Sequence, residues 1–191
     1  MAFIMASTCF HPDGERAFDA YTEDFASIVN RSLEIKAMMA PEDQWVDPQT
    51  LSSYGNYPFI VDRGWIPPLF FTAIKCRDRR IRSQAIDLLR SSGCKEGIWD
   101  SSIAAVVAEE VARLEERGIT EHDHDGEHPT AQRIRDTRVT LPDHALEAIV
   151  IVCRLEPDSS GGALELTRIY DPASKTWAAG DESGQQILRG L

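Results

Sequence analysis

Between Lys75 and Arg80 the chain places four cations, a thiol and a carboxylate in six residues: Lys75, Cys76, Arg77, Asp78, Arg79 and Arg80. Lys75 and Arg79 there can hold an anionic or carbonyl-bearing ligand. The same cluster can instead close one helix and open the next, with Arg77 and Asp78 as caps and Glu96 or Asp100 as ion-pair partners. Asp100 has two readings as well. Buried beside a cavity, with its pKa raised by desolvation, it serves as a general acid or base. At the start of a helix it is an N-cap. Lys75, Asp100 and Tyr57 are the candidate catalytic groups. The candidate ligand-binding residues are Tyr54, Tyr57, Trp65, Phe70, Lys75, Arg79 and Trp99, because small-molecule pockets combine aromatic walls with a few polar anchors. Trp65 and Trp99 also suit a hydrophobic core. His122, His124 and His128, set among Glu121, Asp123, Asp125 and Glu127, are of metal-binding types. Their spacing fits no closed site, so a solvated acidic loop with no metal is expected. The chain has no G-x-S-x-G, P-loop, G-x-G-x-x-G or H-E-x-x-H signature. No cofactor is expected.

The elements that position these residues lie between Trp65 and Glu116. Pro67 and Pro68 suit the first turn of a helix, where a missing N–H costs least. Leu69, Phe70, Phe71, Ala73 and Ile74 follow with no polar face, which predicts a buried helix. Ile81, Ala85, Leu88 and Leu89 form the stripe of a second helix, with Arg79, Arg80, Arg82 and Asp87 on its other faces. Ser91-Ser92-Gly93 stops it. Asp100 or Ser101 caps a third helix with the stripe Ile103, Val106, Val107, Val111 and Leu114, and Gly118 is placed to end it. Two amphipathic helices joined by a turn form a helical hairpin that must stack on the buried helix before it.

Around this centre, residues 1–12 read as a flexible N-terminus, disordered or loosely docked, and 13–40 as one long helix with Phe18, Tyr21, Phe25, Ile28, Val29 and Leu33 on one face. Residues 41–64 form an aromatic loop broken by proline and glycine, containing Trp45, Tyr54, Tyr57 and Phe59. This loop either plugs the core or walls a pocket. Near the C-terminus, 146–155 and 163–170 read as strands of an antiparallel hairpin joined by EPDSSGG, with a third strand at 133–141. The β element spans 133–177, and the tail after it reads as loop. The fold expected is mainly α: stacked helices and a helical hairpin with a small C-terminal antiparallel β element, as a single domain over 1–191.

The segments WIPPLFFTAIKCRD, RSQAIDLLRSS and EGIWDS, in that order, resemble the C-terminal regulatory region of fungal binuclear zinc-cluster transcription factors. The segment RIRDTRV and the apolar run after it also fit that region. The resemblance implies a helical regulatory fold. In that family DNA is bound by a six-cysteine zinc cluster near the N-terminus, whereas this chain has four cysteines, Cys9, Cys76, Cys94 and Cys153, none closely spaced.

The net charge of −11 opposes a nucleic-acid surface, which needs a basic patch. The segment MAFIMASTCF lacks the basic region and long apolar core of a secretory signal, so none is expected, and no apolar stretch of roughly 20 residues is present to span a bilayer. A cytosolic or nuclear location is expected. The partners left open are a small-molecule ligand or substrate, another protein, and a second copy of the chain. Two functions compete. One is a stand-alone regulatory or small-molecule-binding protein, similar to the non-DNA-binding part of such a regulator. The other is a secondary-metabolism enzyme of cyclase or isomerase type built on that fold, since orientation alone can lower a barrier substantially. A fragment of a longer regulator is a third possibility.

Overall fold

The computed structural model describes residues 1–38, 64–117, 133–141, 147–155 and 165–180. The chain is mainly α with an antiparallel sheet towards its C-terminus. Its contacts divide it into two units, Met1–Arg113 and Leu114–Leu191.

Among its described residues the first unit contains four α-helices, a 3-10 helix and most of a fifth α-helix. Helix α1 spans Ala2–Thr8 and α2 spans Thr22–Met38, with a 3-10 helix at Gly14–Tyr21 between them. The expected loose end at 1–12 is thus partly a helix, anchored by Ile4, which is 1% exposed. The single helix expected over 13–40 is in fact two elements. The Thr22 hydroxyl donates to the Asp19 carbonyl at 2.9 Å where they meet, and a 3-10 turn takes three residues where an α turn takes 3.6. Phe18, Phe25 and Val29 face inward as expected. Leu33 is exposed and Ser32 is buried in its place, about 100° away around the α2 axis.

Helix α3 (Ile66–Lys75) carries Pro67 and Pro68 in its first turn. Helix α4 (Arg79–Ser92) buries Ile81, Ala85, Leu88 and Leu89 as its stripe requires. It ends at Gly93, whose φ of 52° places it in the left-handed region that glycine tolerates best. Arg82 does not stay on the outer face. It is 4% exposed, and its Nε donates to the Cys76 carbonyl at 2.8 Å. After α4 comes a two-residue-turn hairpin, β1 (Lys95–Glu96) with β2 (Trp99–Asp100), where Glu96 pairs with Trp99. Gly97 has φ 59°, the positive value that such tight turns favour. Helix α5 spans Ser101–Arg117. Val107 and Val111 are buried, but Ile103, Val106 and Leu114 are only half-buried. Ala104, Ala105, Ala108 and Ala112 instead join the core with Phe25, Leu69 and Leu89. Small side chains let neighbouring backbones approach, so the inward line of α5 is written in alanine.

The second unit is a meander in the order β3-β4-β5-β6: Ile134–Thr140, Ile149–Leu155, Glu165–Asp171 and Thr176–Ala179. The three expected strands are present, and β6, half of which lies beyond the expected end of the β element at 177, adds a fourth. It pairs Trp177 with Tyr170, their rings 5.1 Å apart. The turn before it needs no glycine. Asp171 accepts bonds from the Ala173 amide at 2.9 Å and the Ser174 hydroxyl at 2.7 Å. These bonds, the Ser174 hydroxyl first, hold the Asp171 carboxyl below its ordinary pKa. On β4, Ile149, Ile151 and Cys153 are at most 3% exposed, which gives the period-two burial of a strand. Strand β3 slips register between Ile134 and Asp136 and exposes Arg135, Asp136 and Arg138 along the outer edge.

The β5–β6 pairing ends on a close approach. The Gly180 amide donates to the Thr167 carbonyl at 2.9 Å. A Cβ on Gly180 would sit 2.5 Å from Thr167 Cγ2 and 2.9 Å from Thr167 Cβ. Gly180→Ala is therefore expected to cost roughly 1–3 kcal/mol by overpacking. Hydrogen exchange should show amide protection falling first in β5 and β6. Unchanged protection there would mean that the approach is not limiting.

Candidate functional site

The cation cluster at 75–80 resolves into structural work. Lys75 is 9% exposed, and its Nζ donates to both oxygens of Glu15, at 2.8 and 2.9 Å. It also lies 5.2 Å from the centre of the Phe18 ring. Arg77 reaches the same carboxylate at 3.3 Å and donates to the carbonyls of Ile74 and Lys75, closing the C-terminal end of α3. Asp78 accepts from the Ile81 amide at 3.0 Å and caps α4. The capping roles foreseen for Arg77 and Asp78 are present. The carboxylate that answers the cations is Glu15, 60 residues before Lys75, rather than Glu96 or Asp100. Arg79 stands exposed at the start of α4, so it and the buried Lys75 do not make a common anchor.

Asp100 is the N-cap of α5. Its Oδ1 accepts from the Ser102 amide at 2.9 Å, the Ser102 hydroxyl at 2.6 Å and the Ile103 amide at 3.3 Å. Its Oδ2 lies 3.3 Å from Lys95 Nζ. Ser101 adds a reciprocal clasp: its hydroxyl accepts from the Cys94 amide, and its own amide donates to the Cys94 carbonyl, both at 3.1 Å. Two of the three catalytic candidates, Lys75 and Asp100, thus already hold the fold with their polar atoms. Tyr57, the third, and Tyr54 lie outside the described residues, as do the aromatic loop up to residue 63 and the histidine stretch 122–128. Among the described residues no group of three or more His, Cys, Asp or Glu is placed to hold a metal ion, and no helix is long and apolar enough to cross a membrane.

The remaining candidates do converge, at the start of α3. Trp99 packs against Phe70 with ring centres 5.4 Å apart. Glu96, directly across the hairpin from Trp99, sends its carboxylate to the first backbone amides of the helix. The Trp65 amide donates to its two oxygens at 3.0 and 2.9 Å, and the Ile66 amide donates at 2.9 Å. The next two residues are prolines and have no N–H to satisfy. Trp65 is 7% exposed and belongs to the core cluster. Its indole Nε1 is buried and has no hydrogen-bond partner among the described residues.

Glu15 and Glu96 are the two residues that organise both ends of α3. Glu15 does not stand out in the sequence, and Glu96 was offered there only as an ion-pair partner, because each acts on atoms dozens of residues away. The one local hint for Glu96 is that a proline pair at a helix start leaves few donors, and those must be met by something outside the helix.

Cys76 lies between the two ends of this machinery, 1% exposed at the turn from α3 to α4. Burial pushes its thiol above the ordinary value, against the lowering effects of the Asp78 amide and the Arg82 guanidinium. The folded chain therefore keeps the Cys76 proton at a pH where the unfolded chain loses it. This contribution to stability is present below the ordinary thiol pKa and is lost as pH rises through the folded value.

No family model matches the chain, and no solved structure matches it. Over 83 residues, 44% of its length, it is 37% identical to the aspercryptin biosynthesis cluster-specific transcription regulator atnN of Emericella nidulans. The aligned part is 13% of that regulator. The chain therefore spans a small fraction of the length of the curated relative that it matches.

Two outcomes are expected. Glu96→Ala should lower stability by roughly 2–3 kcal/mol, the cost of amides losing a charged acceptor, whereas Glu96→Gln, which keeps one acceptor oxygen, should cost less. Thermal melts of both variants test this; equal small shifts would mean that the carboxylate is dispensable. Cys9 is exposed while Cys76, Cys94 and Cys153 are buried. A thiol reagent at neutral pH should therefore titrate one fast thiol per chain, with the other three reacting only after denaturation. Two or more fast thiols would contradict the burial.

Proposed function

We propose that this chain is a transcription-factor-like regulatory module that acts through a small molecule or a protein partner and makes no DNA contact of its own. The observation that carries this is the 83-residue stretch of 37% identity to a transcription regulator. The physical character of the chain supports it. Four scattered cysteines do not make a six-cysteine zinc cluster, and a net charge of −11 disfavours phosphate contacts. Lys75 and Asp100 already serve the fold, so no described side chain stands out as an acid or base for a cyclase or isomerase reaction. The module works in the nucleus or the cytosol.

Fused to an unrelated DNA-binding domain, the chain should change transcription of a reporter carrying that domain's site, by several-fold over the DNA-binding domain alone. No change in either direction, with the fusion expressed and nuclear, would overturn the reading. So would formation of a site-specific duplex complex by the unfused chain with a steep salt dependence.

A further inference from the structure

The two outer strands of the sheet are built differently. Strand β3 exposes charges and breaks its register. Strand β6 does neither. It reads Thr176-Trp177-Ala178-Ala179 and holds no charged residue. Thr176, Ala178 and Ala179 are exposed and Trp177 is half-buried. Among the described residues no strand pairs with β6 on the side away from β5. The ladder shows which backbone groups this edge offers. The Gly180 amide donates to the Thr167 carbonyl. Hydrogen-bonded and non-hydrogen-bonded pairs alternate along an antiparallel ladder. Ala178 and Thr176 therefore also turn their amides and carbonyls toward β5, opposite Ile169 and Asp171. Trp177 and Ala179 turn theirs outward. Such a row of outward donors and acceptors is a template for another strand.

We propose that β6 pairs antiparallel with β6 of a second copy of this chain, on a two-fold axis through Ala178. In this register Trp177 of each copy meets Ala179 of the other. These are the residues whose backbone groups point outward, so each such pair exchanges both of its bonds. The side chains fit as well. Tyr170, Trp177 and Ala179 share one face of the sheet, and the small Ala179 leaves room for the incoming indole. Arg168 stands across from Ala179 on that face, and its length brings a cation within reach of the same ring. The seam itself is uncharged, so the net charge of −11 creates no close like-charge pair there. The pairing also closes on itself. Once β6 is used, the outer strands left are the two copies of β3, guarded by charge and irregular register, so assembly stops at a dimer. A seam of four residues is short, and a weak association is expected, with Kd on the order of micromolar or above.

Sedimentation equilibrium of the full chain, from low to high micromolar concentration, should show a shift from monomer to dimer and nothing larger. Ala179→Pro removes an outward amide that the β5–β6 ladder does not use. It should weaken the dimer by at least ~10-fold, since each copy loses a hydrogen bond, and leave the melting temperature of the dilute monomer in place. Cross-linking tests the register, and does so even if Ala179→Pro fails to fold. In a Cys9→Ser background, which removes the exposed native thiol, Ala178→Cys sets two thiols face to face across the axis. That is a non-hydrogen-bonded pair with Cα atoms about 4.5 Å apart, within disulfide reach. Mild oxidation should join most Ala178→Cys chains into dimers and few Thr176→Cys chains, whose thiols lie at opposite ends of the seam. A chain that stays monomeric throughout overturns the proposal, whatever other strand its edge accepts. So does a dimer that survives Ala179→Pro, or equal cross-linking at positions 176 and 178.

Discussion

A buried helix with almost no polar side chains still has a polar beginning, and the first unit depends on how that beginning is satisfied. In α3, two prolines remove two donors, and the Glu96 carboxylate accepts from the successive Trp65 and Ile66 amides. A carboxylate at the positive end of a helix also meets the helix dipole favourably. This lets Ile66, Leu69 and Ala73 sit at 0% exposure without stranding backbone groups in the core. The other end is closed as economically. The Cys76 amide donates to the Thr72 carbonyl, and Arg77 covers the carbonyls of Ile74 and Lys75. Elements before and after α3, the 3-10 helix through Glu15 and the β1–β2 hairpin through Glu96, are thereby tied to one helix.

The same economy bears on function. Charged residues in a buried setting invite a catalytic reading, yet here the main ones spend their polar atoms on caps and ion pairs. Lys75 answers Glu15, Asp100 opens α5, and Arg82 reaches the Cys76 carbonyl. Breaking a buried pair of this kind costs several kcal/mol, because the surviving charge is left without compensation. Among the described residues, what stays partly uncovered on α3 is the Phe70–Trp99 pair, apolar surface suited to recognition more than to bond making.

The elements written in local patterns were legible in the sequence. The α4 stripe, the Gly93 stop, the Asp100 cap, the proline start of α3 and the strands at 134–140, 149–155 and 165–171 all follow from period, cap chemistry and β-branched content. Features decided by distant partners were not. The burial of Arg82 depends on a carbonyl six residues back in the folded turn, and the position of Glu15 depends on Lys75. The hairpin at 95–100 is too short to show a period. Strand β6 has four residues and an Asp-Ser turn in place of a glycine signature. Of the candidate site residues, Trp65, Phe70 and Trp99 were legible as aromatic candidates, and the hairpin that brings Trp99 to Phe70 was not.

The outer strand of the sheet has a consequence for life at high concentration. A sheet with a free edge is a template on which another chain can add a strand, and flat apolar edges seed aggregates. Here β3 carries Arg135, Asp136 and Arg138 in exposed positions and breaks its register near Ile134. An incoming strand on that side would have to desolvate charges and match an irregular ladder. The apolar β4, which alone would be a hazard, is flanked by β3 and β5. The charged strand thus acts as a gatekeeper for the sticky one and disfavours growth of the sheet on the β3 side.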